Sequence, residues 1–310
     1  MKCDRELAPV DRIICNSRVE CEVAHEFRKA VRGVKAIRTD VKLIAEGEQQ
    51  LVSAVGNRMD RRFLPGIDDG AATMEESVAM AELAMADGIT HVVATPHSNN
   101  EYYFDFAHVR RVRDELQAKV RDRLKIATGC DFHLNPENLA SLRKDGRQFC
   151  INQRDFLLVE FNEYSIPPSM DHTLHELQLA GLQPVITHPE RNGILRSRPE
   201  RLKKWIRQGC FAQVTAGALT GGFGAGSQKD ALRWIAEGLI HFVASDAHNT
   251  RTRPLRLQPA YNVVLDQFGE ETARALFHDN PLAAFEGRPL PYVPEVEDAS
   301  PPRRKRFFFF

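Results

Sequence analysis

The sequence lacks several features that would assign it to a specialised class. Its six cysteines include no C-x-x-C pair, its first twelve residues are mostly polar, unlike a secretory signal, and no apolar run approaches the roughly 20 residues of a transmembrane helix. Lys plus Arg and Asp plus Glu both number 42, so the formal net charge is 0. We therefore expect a cytoplasmic protein with no transmembrane segment and no nucleic-acid partner.

Three common catalytic patterns are also missing. No cysteine has an arginine six positions later, so the C-x5-R phosphate cradle of thiol-dependent tyrosine phosphatases is absent. The sequence has neither a G-x-x-x-x-G-K-[ST] loop nor an H-E-x-x-H helix. Any phosphate chemistry must therefore use other groups.

What the sequence does contain is a regular alternation of short apolar runs and amphipathic segments. With 310 residues, 43% of them hydrophobic, the chain can bury a sizeable core. The alternation predicts a parallel α/β fold, either a closed barrel or a doubly wound open sheet. Strands are predicted at residues 90–95, 124–129, 155–161, 184–188, 211–216 and 241–246, and helices at 74–87, 107–123, 170–180, 199–208, 227–237, 259–268 and 271–277.

The ends of the chain differ from this pattern. A first strand near residues 59–64 would complete seven βα units, which predicts a main domain over residues 58–290. Residues 1–57 show no strand-helix register and are expected to form a helical or partly disordered N-terminal extension. Residues 291–310 are rich in proline, end in RRKRFFFF, and are expected to form a disordered tail.

Acidic and imidazole side chains follow five of the predicted strands. In a parallel barrel the carboxyl ends of the strands share one rim, so these residues would meet although they are distant in sequence. A mixture of imidazole and carboxylate ligands suits zinc, iron or manganese, and its oxygen content favours manganese or a site with several metal ions. The residues are His97, Asp131, Glu160, His188, and Asp246 with His248.

Arginines accompany these candidate ligands. Arg191 follows His188 by three residues, and Arg251 and Arg253 follow His248 closely. Guanidinium groups next to a metal centre suit bidentate recognition of phosphate, which suggests hydrolysis of a phosphate ester.

Two glycine-containing segments are candidates for turns or loops near the strand ends. The turn LPGIDDGA offers Asp68 or Asp69 as a helix cap or as a further ligand. The segment GGFGAG, residues 221–226, is interpreted as a flexible barrel loop.

Five of these motifs, PGIDDGA, ATPH, LVEF, ITHPERN and VASDAHN, closely resemble the polymerase and histidinol phosphatase (PHP) family. Within it they are similar to the manganese-dependent bacterial protein-tyrosine phosphatases of capsule and exopolysaccharide clusters, the CpsB/YwqE type. The resemblance covers residues 64–289. It implies a distorted seven-stranded TIM-like (β/α)7 barrel, a site for two or three Mn²⁺ ions, and action on the tyrosine-rich tail of a membrane-associated tyrosine kinase.

The resemblance also assigns roles to individual residues. Arg191 and Arg253 correspond to phosphate binders, and Asp246 or His248 could assist the leaving oxygen. Asp60 and Arg62 stand where relatives have an H-x-H pair; Asp60 could coordinate a metal, whereas Arg62 has no lone pair to offer. The implied metal ligands are Asp69, His97, Asp131, Glu160, His188, Asp246 and His248.

The leading hypothesis is therefore metal-dependent hydrolysis of phosphotyrosine in protein. One alternative is a PHP phosphatase for a small ester such as histidinol phosphate. A second is a catalytically impaired barrel that binds phosphopeptides, because Arg62 would weaken or abolish one metal site.

Overall fold

The computed structural model describes residues 51–55, 63–67 and 71–296, with only the backbone of 51–55 described. The described strands are all parallel to their neighbours. They form a three-stranded sheet, β1-β2-β4, and a six-stranded sheet, β3-β5-β6-β7-β8-β9. The strands are β1 (Leu51–Val55), β2 (Ile89–Ala94), β3 (His97–Ser98), β4 (Lys125–Thr128), β5 (Asp131–His133), β6 (Phe156–Glu160), β7 (Gln183–Thr187), β8 (Phe211–Thr215) and β9 (Phe242–Ala244).

The order of the strands is that of a barrel. In each described sheet, strands that are neighbours in space also follow one another along the chain. A doubly wound sheet requires a point where the strand order reverses, and the described sheets have none. β3 continues β2 and β5 continues β4, each after an interruption of two residues. Hydrogen bonds from Gly129 N to Ala94 O and from Asp131 N to Pro96 O, both 2.9 Å, connect the strands across the interruptions. Counting each interrupted pair once gives seven strand positions among the described residues; a seven-stranded closed barrel, with closure between β9 and β1, stays a prediction.

The first strand lies earlier in the chain than the sequence analysis placed it. β1 covers Leu51–Val55 and pairs with β2, whereas Phe63 and Leu64, the described end of the expected strand 59–64, lie in a bend. The run LVSAV, with two β-branched valines, suits a strand, while residues 59–62 of the expected strand lie outside the described residues. The strand thus falls within residues 1–57, which were assigned to an extension.

The predicted helices are present, with ends shifted by a few residues. Thr73 caps the first one by accepting a hydrogen bond from Glu76 N at 3.3 Å, and Gly88, at φ +83°, follows its end. The helices are α1 (Met74–Ala86), α2 (Phe106–Val120), α3 (Pro136–Lys144), α4 (Met170–Leu179), α5 (Gly193–Ser197), α6 (Pro199–Arg207), α7 (Ala216–Leu219), α8 (Gly224–Ala236), α9 (Gln258–Arg274) and α10 (Asn280–Glu286).

Some details of the helices were not predicted. α3, α5, α7 and α10 are short, so periodicity gives little signal for them. The segment GGFGAG is only partly a loop, because α8 begins at Gly224. The expected break between two late helices is confirmed as a kink in α9 at Gly269, where φ is +85°.

Large side chains fill the core, with Phe156 in a smaller cluster separate from the main one. Trp205, Trp234, Phe132, Phe156 and Phe277 are all less than 2% exposed. This packing fixes the strands and therefore the residues at their carboxyl ends. Within the described residues, no helix combines the length and apolar character needed to cross a membrane.

Candidate metal and phosphate site

The candidate side chains lie at the carboxyl ends of the strands, as the sequence predicts. His97 pairs in register with Asp131, and His133 pairs with Glu160, so two neighbouring ladders hold four polar side chains side by side. His188 directly follows β7, and Asp246 follows β9 by one intervening residue. All except His133 are less than 9% exposed.

Asp131, Glu160 and His188 form a compact, buried group. One ligand atom from each lies within 4.8 Å of the others. His188 Nε2 is 3.7 Å from Glu160 Oε1 and 3.9 Å from Asp131 Oδ2, distances too long for hydrogen bonds. His188 Nε2 and Asp131 Oδ2 are buried and have no hydrogen-bond partner among the described residues.

The other oxygen of Glu160 faces two further imidazoles. His133 Nε2 lies 2.6 Å from Glu160 Oε2, and His97 Nε2 lies 3.9 Å from the same atom. Burial opposes ionisation of this carboxyl group, but the hydrogen bond from His133 and the charges of His188, His133 and His97 lower the pKa of Glu160 to about 2. Glu160 is therefore an anion at the centre of three histidines.

Arg191 and Arg253 meet on one carboxylate. Arg191 Nη1 and Arg253 Nη2 both donate to Asp246 Oδ2, while Asp246 Oδ1 is buried with no hydrogen-bond partner among the described residues. Complete burial raises the pKa of Asp246 to about 7, against the opposing charges of Arg191, Arg253 and His188. The charges of His188 and Asp131 also act on the pKa of Asp246, so the three residues lie within electrostatic range of one another.

The backbone is strained at two of these positions. His188 (φ +33°) and Asp246 (φ +53°) occupy the left-handed region, which side chains with a Cβ rarely adopt. Such strain persists only where surrounding structure holds it, and it concentrates at functional sites. At His188 and Asp246 the left-handed backbone occurs at the carboxyl end of a strand, where the chain leaves the sheet.

The hydrogen bonds of His248 define its tautomer. The ring is fully buried; Nδ1 donates to the backbone oxygen of Asp246 at 2.8 Å, and Nε2 lies 3.2 Å from Arg253 Nη1. Because a guanidinium can only donate, Nε2 must accept, which gives a neutral ring with its proton on Nδ1. A neutral imidazole is suited to hold a metal and poorly suited to donate a proton from Nε2.

Several predicted site residues lie outside the described residues, namely Asp60, Arg62 and Asp69. Their roles stay predictions.

Three residues near the site were missed by the sequence analysis. His133 could have been found, because Asp-x-His on a strand places both side chains on one face. Phe223, which stacks on both arginines, gave no signal in its glycine-rich segment. Glu190 is fully buried and accepts a hydrogen bond from Thr215 N at 3.0 Å; its place next to Arg191 in HPERN was the only indication.

The donor set fits a divalent cation. Three buried ligand atoms, Asp131 Oδ2, His188 Nε2 and Asp246 Oδ1, have no hydrogen-bond partner among the described residues, although burying a polar atom alone is costly. Thr187 Oγ1 lies 3.5 Å from Asp131 Oδ1 and 3.2 Å from the backbone oxygen of Val159. This contact orients Asp131, a candidate ligand, through the oxygen opposite Oδ2. A cation would satisfy the unpartnered atoms.

Comparisons with known proteins identify the family of this chain. The family described as "Capsular polysaccharide synthesis, CpsB/CapC" matches residues 59–286. The tyrosine-protein phosphatase YwqE of Bacillus subtilis is 36% identical over 258 residues, covering 80% of this chain and 97% of that protein. The tyrosine-protein phosphatase CpsB of Streptococcus agalactiae serotype V is 29% identical over 225 residues, covering 69% and 91%.

A solved structure shows the same fold. It comes from crystal structures of YwqE of Bacillus subtilis and CpsB of Streptococcus pneumoniae, described as metal-dependent tyrosine phosphatases. It superposes with a TM-score of 0.72 at 32% identity and covers 80% of this chain and all of the other. The family match extends over most of the described barrel, and this chain therefore belongs to the CpsB/CapC family of capsular polysaccharide synthesis.

Proposed function

We propose that this protein is a metal-dependent phosphatase that hydrolyses phosphotyrosine in protein. The observation that carries the proposal is the convergence of Arg191 and Arg253 on Asp246, beside the buried Asp131–Glu160–His188 group. The relatives named tyrosine-protein phosphatases support the same reaction.

The residues of the chain divide into two groups by their chemistry. Asp131, Glu160 and His188 would hold a cation, with His97 beside them and Asp246 and His248 at the arginine side. Manganese is the ion we propose, with two or three per chain, because oxygen and imidazole donors are mixed. A bound divalent cation supplies a water of lowered pKa as nucleophile and offsets charge on the phosphate.

The arginines would bind the phosphoryl group. Each guanidinium donates to Asp246 Oδ2, and its planar fork of N–H groups matches the geometry of phosphate oxygens. Phe223 supports both groups from one side. Phosphoryl transfer requires mainly positioning and charge stabilisation, which this pair provides. For the leaving oxygen, Asp246 is the better candidate than His248, whose Nε2 accepts from Arg253.

The proposed substrate is a phosphotyrosine segment of a tyrosine kinase in capsule or exopolysaccharide synthesis. The family description and the relatives support the setting. A cytoplasmic location stays the prediction made from the cysteine spacing.

The test is hydrolysis of a phosphotyrosine peptide by the purified full chain with Mn²⁺, compared with histidinol phosphate. We expect a higher kcat/KM for the peptide and loss of turnover with excess EDTA, restored by Mn²⁺. A preference for the small ester would select the other PHP activity, and full turnover in EDTA would refute the proposal.

A second candidate is a barrel that binds phosphopeptides without turnover. The observation favouring it is Arg62, a fixed positive charge at a position where the resemblance expects a metal ligand. Comparing the chain with the double variant Asp60→His and Arg62→His separates the two. A rise in bound manganese and in rate would show that Arg62 impairs the site, whereas no change in either would reject this candidate.

A further inference from the structure

His133 is a polar residue of the rim that stands outside the set of metal ligands predicted from the sequence. It ends β5, two residues after Asp131, so both side chains lie on the same face of the strand. The ladder between β5 and β6 pairs His133 with Glu160, which fixes the two residues side by side. The backbone oxygen of His133 accepts a hydrogen bond from Asn138 Nδ2 at 2.9 Å, so the end of the strand is also held in place.

The side chain of His133 is directed at a candidate metal ligand. Its Nε2 lies 2.6 Å from Glu160 Oε2, and His97 Nε2 lies 3.9 Å from the same oxygen. The two rings are 6.4 Å apart between centroids and nearly perpendicular, at 67°. Two imidazole nitrogens therefore face one carboxylate oxygen from different directions.

This arrangement differs from the Asp131–Glu160–His188 group. That group uses the Oε1 side of Glu160, where His188 Nε2 lies at 3.7 Å, whereas His133 and His97 face Oε2. Two histidines and one carboxylate are a donor set that suits manganese, iron or zinc. The side chain of His133 is 22% exposed and that of Glu160 6%, so His133 lies at the solvent side of this carboxylate.

We infer that His133 is a further metal ligand in this chain: a cation would displace to solvent the proton that Nε2 donates to Glu160 Oε2, and would be held by Nε2, Glu160 Oε2 and His97. The inference rests on the proposed metal centre but concerns a residue outside the predicted ligand set. It gives Glu160 a cation on each oxygen, one with His188 and one with His133.

The experiment separates a ligand from a hydrogen-bond partner. His133→Gln keeps an N–H that can donate to Glu160 Oε2 but replaces the imidazole by a poor ligand, whereas His133→Ala removes both functions. His172→Gln is the matched control, because His172 lies on α4 with a side chain that is 76% exposed. Each full-length protein is loaded with Mn²⁺ or Co²⁺ alone, and bound metal is measured by elemental analysis after gel filtration.

If His133 is a ligand, both His133 variants will hold about one ion fewer per chain or bind it at least about 10-fold more weakly, a usual cost of disturbing even an outer partner of a ligand. The Co²⁺ absorption spectrum will change in both, and His172→Gln will match the unaltered protein. Thermal unfolding without metal will show that the variants fold.

The inference is overturned if His133→Gln binds as much metal as the unaltered protein, with the same affinity and Co²⁺ spectrum. His133 would then serve only as a hydrogen-bond donor to Glu160. These readouts need no substrate, so they are independent of the proposed phosphatase activity. A protein that binds metal through His133 but does not hydrolyse phosphotyrosine would refute the proposed function alone.

Discussion

The guanidinium carbon of Arg191 lies 4.4 Å from the centroid of the Phe223 ring. Arg253 lies over the same ring at 5.3 Å, so one aromatic side chain supports both proposed phosphate binders. An exposed cation–π contact contributes about 0.5–1 kcal/mol. We expect Phe223→Leu to weaken inhibition by inorganic phosphate by roughly 5- to 30-fold, as the loss of two such contacts predicts. Phe223→Tyr retains the ring and should behave as the unaltered protein; equal inhibition of the leucine variant would contradict a supporting role.

Replacing Arg253 by lysine tests whether fork-shaped donors are needed. Arg253 donates to Asp246 and contacts His248, which a single ammonium group cannot reproduce. We expect kcat/KM on a phosphotyrosine peptide to fall by about 10- to 100-fold, corresponding to the loss of one charge-assisted hydrogen bond. Arg251→Lys, in the same loop and exposed, is the control. Similar losses in both variants would show a general effect on the loop.

Replacing Asp131 by asparagine should have opposite effects on the stability of the metal-free protein and on metal binding. Its Oδ2 is buried without a hydrogen-bond partner among the described residues, next to Glu160. Asp131→Asn removes a buried charge, so we expect unchanged or higher Tm in EDTA. The same variant should lose most of the Tm increase that Mn²⁺ gives the unaltered protein, because ligand binding stabilises only a competent site. Scanning calorimetry with and without Mn²⁺ measures both; an undiminished Mn²⁺ effect would exclude Asp131 as a ligand.

His241 predicts a pH dependence of stability away from the site. It precedes β9, and burial lowers its pKa from 6.5 to about 4, against a hydrogen bond with the backbone of Leu239. Above pH 6.5 the His241 imidazole is neutral in both the folded and the unfolded state. Between pH 6.5 and about 4, only the unfolded state gains a proton on this ring. Stability is therefore lost as pH falls from 6.5 towards 4.

The expected loss from His241 is about 2 kcal/mol at pH 5. Urea unfolding in EDTA at pH 7.5 and pH 5 should show a smaller difference for His241→Gln than for the unaltered protein. The exposed His172→Gln should leave the difference unchanged. Equal differences for all three proteins would mean that His241 is not held neutral in the folded state.

The described cysteines should not support catalysis. Cys130, Cys150 and Cys210 are buried, and burial raises the pKa of Cys150 and of Cys210 to about 12. We expect iodoacetamide at pH 8 to leave hydrolysis of the phosphotyrosine peptide unchanged, with mass spectrometry showing these thiols unmodified. Inactivation in step with alkylation of one of them would point to thiol chemistry.

The regular βα repeat is the part of the fold that sequence patterns predict well. Strands such as β6 and β7 are buried on both faces, so they are continuous apolar runs bounded by polar turns. β1 was misplaced because LVSAV stands in a segment with no adjacent helical pattern to mark it. The partners of Arg191 could not be predicted, since Phe223 and Asp246 are distant from it in sequence.

The sequence by itself determined the parallel α/β class and predicted metal ligands at the strand ends and arginines that bind phosphate, because these depend on local periodicity and side-chain chemistry. Only the tertiary structure decided that Glu160 lies between three histidines and that Asp246 receives both guanidiniums. Those contacts depend on strand register and on the left-handed backbone at His188 and Asp246. Neither feature can be predicted from the residues of a single segment, because both depend on how distant segments pack.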